Sequence, residues 1–219
     1  MAMASYSRHL VKNPSPLTST SNLSHTQTHL PPNHERPQDH NPPLPAPEDA
    51  YVLTLQTDPA HQARMSELRA RYFPPHLLKV NAHITLFHAL PGSLFSVVVS
   101  DLASLSSSIP PFHIRAAKPF RMARGVGVSV SGLETAERVF RELQTRWWDS
   151  LSQQDRRKFR GHYTLMNKAD DEDTVGGCLR ELRREIGGCE GMAIGLSLWR
   201  YEGGWWQHER DFGFLGASS

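Results

Sequence analysis

The sequence predicts an α+β fold over residues 50–216, with elements in the order β-α-β-α-ββ-α-β-α-ββ. Three observations carry this. Apolar residues recur at helical spacing in four segments, most regularly as Leu133, Ala136, Phe140, Leu143 and Trp147. Short β-prone runs bounded by Pro, Gly and Asp lie between those segments. One tetrapeptide pattern also occurs twice, as His83-Ile84-Thr85-Leu86 and His162-Tyr163-Thr164-Leu165, each time after a helical segment and a short loop. Helix-then-strand modules with the same pattern in both halves point to an internal duplication. Two small antiparallel sheets should form a concave surface with the helices outside.

Residues 51–57 read as the first strand, and Asp58-Pro59 as a helix start, a cap followed by proline at the first helical position. Met65, Leu68 and Tyr72 mark that helix's apolar stripe, and Pro74-Pro75 ends it. The first His/Thr strand covers about 82–88. Ser93 is then expected to cap a second helix with Leu94, Val98, Leu102 and Leu105 on one face, up to Pro110. Residues 112–117 and 125–130 form the next two strands, and the long 133–147 helix follows. The second His/Thr strand covers about 161–167. Asp170-Asp171-Glu172-Asp173 precedes a helix carrying Val175, Leu179, Leu182 and Ile186; acids there favour the helix dipole. The chain closes on a hairpin, 192–201 and 205–214, turning at Gly203-Gly204.

Residues 1–49 have another character. Residues 1–50 hold nine of the sixteen prolines, five of the twelve histidines and one aromatic, Tyr6. Such a stretch buries too little apolar area to offset the entropy of ordering it, so a disordered tail is expected. Net charge is +2, which alone argues neither for nor against nucleic acid; residues 51–219, with twenty-one Lys/Arg against eighteen acids, suit a small phosphorylated ligand better than wrapping a long duplex. Cys178 and Cys189 make no CxxC pair, so free thiols in a reducing compartment are expected and a structural zinc site is not. No apolar run is long enough to span a membrane. The expected location is cytoplasmic or nuclear. The acid-free stretch before Glu35 keeps a mitochondrial transit peptide as the alternative.

The repeated tetrapeptide carries the chemistry. Side chains alternate along a strand, so His83 and Thr85 share one face and Ile84 and Leu86 the other; His162, Thr164, Tyr163 and Leu165 divide likewise. If the two strands lie side by side, two imidazoles and two hydroxyls meet in one cleft. An unperturbed imidazole titrates near 6.5, so one can take a proton from an attacking oxygen while the other gives one to the departing oxygen. Threonine hydroxyls can donate to the nonbridging oxygens of a phosphate as charge builds there. The scheme needs neither metal nor cofactor.

The two motifs, their separation and the closing Gly/aromatic hairpin resemble the 2H phosphoesterase superfamily, in particular proteins similar to bacterial 2′-5′ RNA ligase and to cyclic nucleotide phosphodiesterases. The resemblance spans about 50–215. It implies a bilobal, pseudo-symmetric LigT-like fold, with His83 and His162 in the acid and base roles and Thr85 and Thr164 on the phosphate. Implied activities are cleavage of 2′-5′ phosphodiesters or opening of 2′,3′- or 1″,2″-cyclic phosphates. Formation of 2′-5′ bonds and non-catalytic nucleotide or RNA-end binding are the alternatives. The implied partner is an RNA end or small nucleotide, and a monomer is expected.

The chain departs from the family pattern in places. Gly161 precedes the second His where an apolar residue is usual, and Lys168 only loosely matches the basic residue that often follows. Lys168 and Tyr201 are candidate substrate contacts, and Trp199 is named with Tyr201 as a possible ligand contact. His88, five residues after His83, should face away from the pair and, like His113 and His208, should be structural or exposed. His61 and His76 should lie at the surface. Arg115, Lys118, Arg121 and Arg124 should mostly be solvated, with one of them a candidate substrate contact.

Overall fold

The computed structural model describes residues 49–215. All of the tail expected to be disordered except Asp49 lies outside the described residues. Among the described residues, seven strands and four α-helices follow the expected order: β1 (Ala50–Thr57), α1 (Pro59–Tyr72), β2 (Ile84–Pro91), α2 (Phe95–Ser106), β3 (Phe112–Met122), β4 (Gly125–Ser131), α3 (Glu134–Trp147), β5 (His162–Met166), α4 (Glu172–Glu185), β6 (Cys189–Glu202) and β7 (Trp205–Gly213).

Every strand pair is antiparallel, in the order β2-β1-β6-β3-β4-β5, with β7 added on β6. The 14-residue β6 joins the two halves. Its first residues pair with β3 (Cys189 with Ala116, Ala193 with Phe112), and its later ones pair with β7 on that side and β1 on the other. The two small sheets are thus continuous through β6. The sheet curls until Cα atoms of its end strands, β2 and β5, come within 8 Å of each other. These are the two motif strands.

Caps and breakers set the local boundaries. Asp58 accepts the His61 N–H at 3.0 Å at the start of α1, and its other oxygen accepts the Met192 N–H at 2.7 Å, fixing the helix to β6. At α4, Asp171 accepts the Thr174 N–H at 3.0 Å. Asp170 is held by Arg124 through two 2.7 Å bonds and Glu172 pairs with Arg121, so the acidic run is occupied by these arginines. The cap position of α2 falls on Leu94 rather than Ser93, because Gly92–Leu94 make a tight 3₁₀ turn first. Strand β3 runs five residues beyond the expected Ala117. Pro119 is accommodated at a register shift, where the ladder needs no N–H.

The apolar halves of both motifs enter the core. Ile84, Tyr163 and Leu165 are fully buried and Leu86 is nearly so. Burying each such aliphatic side chain stabilises the fold by about 1.5–3 kcal/mol. Phe87 stacks on Phe140 of α3 with ring centroids 4.8 Å apart. His61, expected at the surface, is buried at 3 % exposure. It lies on the Met65–Leu68 stripe of α1, with Nδ1 3.1 Å from the Glu190 carbonyl oxygen. One helical turn separates it from Met65, so the core-facing stripe begins a turn earlier than the apolar residues alone indicate.

Candidate active site

Each motif begins at the mouth of its strand, and both histidines are held in the same way. The Nδ1 of His83 lies 2.7 Å from the carbonyl oxygen of Asn81, and the Nδ1 of His162 lies 2.7 Å from that of Arg160. A carbonyl only accepts, so Nδ1 carries the hydrogen in both rings and Nε2 is left for chemistry. His83, Thr85, His162 and Thr164 are half-buried, alternating with the buried Ile84, Leu86, Tyr163 and Leu165. Among the described residues neither threonine hydroxyl has a protein partner.

Directly paired residues of neighbouring strands point to the same face. Thr85 lies opposite Thr54, Thr54 opposite Ser197 and Ser197 opposite Asp211, making one polar row across β2, β1, β6 and β7. In the other half His162 lies opposite Ser129, and Thr164 opposite Gly127. A cavity of about 590 Å³ extends from His83 along Thr54, Ser197 and Asp211 of the first row, walled also by Gln56, Trp199, Trp206 and the 78–82 loop; Thr85, His162 and Thr164 do not line it. His208, expected to be structural or exposed, is half-exposed in the same wall, its Nε2 2.9 Å from Asp211.

The sequence reading missed Arg69, which ties the two motifs together. It projects from α1, buried at 5 % exposure. Its Nε donates to the Val80 carbonyl at 3.1 Å, just before the first motif, and its guanidinium also donates to the carbonyl of Thr164 within the second. Burial pushes this guanidinium down to about 10, so it remains charged at neutral pH. His83 is pushed down to about 4, first by burial and then by the positive charge of Arg69. A charge on His162 is the smallest of the causes acting in the same direction. The signal for Arg69 was available: positions 65, 68, 69 and 72 form one helical stripe, and a basic residue on it must find buried acceptors.

His88 is exposed, as expected, but simple alternation is not what exposes it. A register shift between β1 and β2 buries both Leu86 and Phe87, which reverses the alternation. His88 is therefore exposed and near enough to His83 for its charge to lower that ring further. Its Nδ1 lies 3.0 Å from Asp155, a carboxylate with no exposed side-chain surface that also accepts the backbone N–H groups of His88 and Ala89 at 2.8 and 3.0 Å. Burial opposes the Asp155 charge, but these hydrogen bonds outweigh it and hold the carboxyl below its usual range.

The remaining candidates sit further out. Lys168 is exposed past the end of β5 with left-handed backbone (φ 57°), its N–H held by Asn167 Oδ1 at 2.8 Å. Tyr201 is 48 % exposed and is not part of the cavity wall, whereas Trp199 is, its Nε1 donating to Thr54 at 2.9 Å. Arg121 and Arg124 are engaged by Glu172 and Asp170.

The same architecture occurs in solved structures of low sequence identity. Escherichia coli LigT complexed with 3′-AMP aligns at 15% identity with a TM-score of 0.55, covering 77% of this chain and 99% of that one. A Thermus thermophilus protein aligns at 16% identity and 0.53, covering 77% and 99%. A structure described as a phosphoesterase aligns at 14% and 0.56, with the same coverage. No curated protein sequence matches significantly. The family model described as the 2′-5′ RNA ligase superfamily matches residues 57–205, which include both histidine motifs. The chain belongs to the 2′-5′ RNA ligase superfamily.

Proposed function

We propose that this chain is a metal-independent phosphodiesterase acting on 2′-5′ phosphodiester or nucleotide cyclic phosphate (2′,3′- or 1″,2″-cyclic) substrates. The observation that supports this most is the matched pair of locks: two imidazoles with Nδ1 fixed at 2.7 Å on a carbonyl two residues upstream, on strands the fold brings together. His83, neutral at pH 7, takes the proton of the attacking oxygen through Nε2. His162 gives a proton from Nε2 to the departing oxygen, and Thr85 and Thr164 donate hydroxyl hydrogens to the nonbridging oxygens. The nucleotides held by LigT, 3′-AMP and ATP among them, suit a ligand of this class.

The test is turnover of 2′,3′-cyclic nucleotides, a 1″,2″-cyclic phosphate and 2′-5′ oligomers in EDTA. Replacing His83 or His162 by Ala is expected to lower the rate by about 10²–10⁴ while the circular dichroism spectrum stays the same. Strict dependence on added metal, or full activity in either variant, would overturn the reading. Joined product from RNA ends bearing a 2′,3′-cyclic phosphate and a 5′-hydroxyl would show the same site running in the bond-forming direction. Nucleotide binding without turnover of any ester would instead make the cleft a recognition module.

A further inference from the structure

Each histidine has an aromatic neighbour that the core does not account for. Trp206 of β7 lies against His83, ring centroids 4.5 Å apart, and walls the cavity there. Phe120 of β3 lies edge-on to His162, centroids 5.8 Å apart, and is 38 % exposed. Neither ring belongs to the buried core cluster or to the apolar side chains packed against it. The sheet makes room for the Phe120 ring: it pairs with Gly127, where a Cβ would come within 2.6 Å of Phe120 Cζ. Gly127 in turn lies opposite Thr164, so the ring lies over the floor of the second motif.

We propose that the cleft holds a phosphodiester joining two nucleosides, with one base against Trp206 in the cavity beside His83 and the other against Phe120 beside His162. This rests on the phosphodiesterase reading and narrows it. A cyclic phosphate of one nucleoside presents one base and occupies one platform. A linear diester presents two, and its phosphorus falls between the histidines when both are stacked. Asp211 and Gln56 give the Trp206 side a polar end. Gln56 Nε2 donates to Asp211 at 3.2 Å, which leaves the Gln56 carbonyl oxygen to accept from a base amino group. On the other side the platform is the Phe120 ring over Gly127, and stacking of that kind tolerates any base.

The experiment measures binding of 2′-5′-linked adenylyl-adenosine and of adenosine 2′,3′-cyclic phosphate to the full chain carrying His83→Asn, where turnover does not interfere. The two-base ligand is expected to bind roughly 5- to 100-fold more tightly, the factor one base–aromatic stack supplies. Adding Phe120→Leu, which keeps apolar bulk but removes the ring, is expected to erase that margin; Phe120→Tyr is expected to restore it. Equal binding of the two ligands, or a margin that survives Phe120→Leu, overturns the proposal. Absence of turnover by the unaltered chain with the margin intact would count against the phosphodiesterase reading and support two-base recognition. Turnover with no margin would do the reverse.

Discussion

The depressed proton affinity of His83 has a measurable thermodynamic consequence. The ring ordinarily titrates at 6.5 and in the fold at about 4. Between those values the unfolded chain holds a proton that the folded chain does not, so stability falls as pH drops from 6.5 to 4 and the contribution is complete above 6.5. The difference corresponds to at most about 3 kcal/mol. Several carboxylates, Asp58 and Asp155 among them, are also held below their usual range and lose stability on further acidification, so the raw pH curve is composite. The assay is urea denaturation of the unaltered chain and of His83→Gln from pH 7 to pH 4. Glutamine has no proton to bind, so the difference between the two curves should shrink by about 2–3 kcal/mol across that interval. Proton NMR of the His83 ring should show a midpoint well below 6.5. A midpoint near 6.5, with parallel denaturation curves, would refute the reasoning and with it the assignment of His83 as the neutral partner at pH 7.

Other expectations follow from particular contacts. Arg69→Met removes two charged hydrogen bonds to backbone carbonyls and should cost about 2–4 kcal/mol in denaturation, while the His83 midpoint rises because a nearby positive charge is gone; unchanged stability with an unchanged midpoint would contradict the bridging role. Thr85→Val and Thr164→Val should each lower kcat by about 10–10³ with stability altered by less than about 1 kcal/mol, since neither hydroxyl has a protein partner among the described residues; kinetics would check both. Asp155→Ala strands the N–H groups of His88 and Ala89 at the β2 register shift and should lower stability by about 2–4 kcal/mol, read by thermal or urea unfolding.

The element order and the motif faces were legible because each depends on periodicity. Ile84 and Leu86 against His83 and Thr85 need only the two-residue repeat of a strand, and Leu133 to Trp147 only the helical one. The facing of His88, though not its exposure, was misread for the same reason: a register shift inserts a residue, and nothing in Leu86-Phe87-His88 marks it. Pro119 concealed the continuation of β3 and so the position of Phe120, since a strand interrupted by proline reads as one that ends. His61 and Arg69 were obscured by chemical type. Both lie on the apolar stripe of α1, where helical spacing alone indicates burial, but polar side chains are ordinarily assigned to the surface. The joining of the two sheets through β6 depends on partner choice along a 14-residue strand, a long-range property that local patterns do not encode.

The central claim is that His83 and His162 flank a single phosphorus. A crystal structure of the full chain with inorganic vanadate and a nucleoside bound tests it most directly. The expected result places both Nε2 atoms within about 2.6–3.2 Å of oxygens on the same vanadium, with the Thr85 and Thr164 hydroxyls on the remaining ones. Vanadate held by one histidine while the other ring turns elsewhere would contradict it.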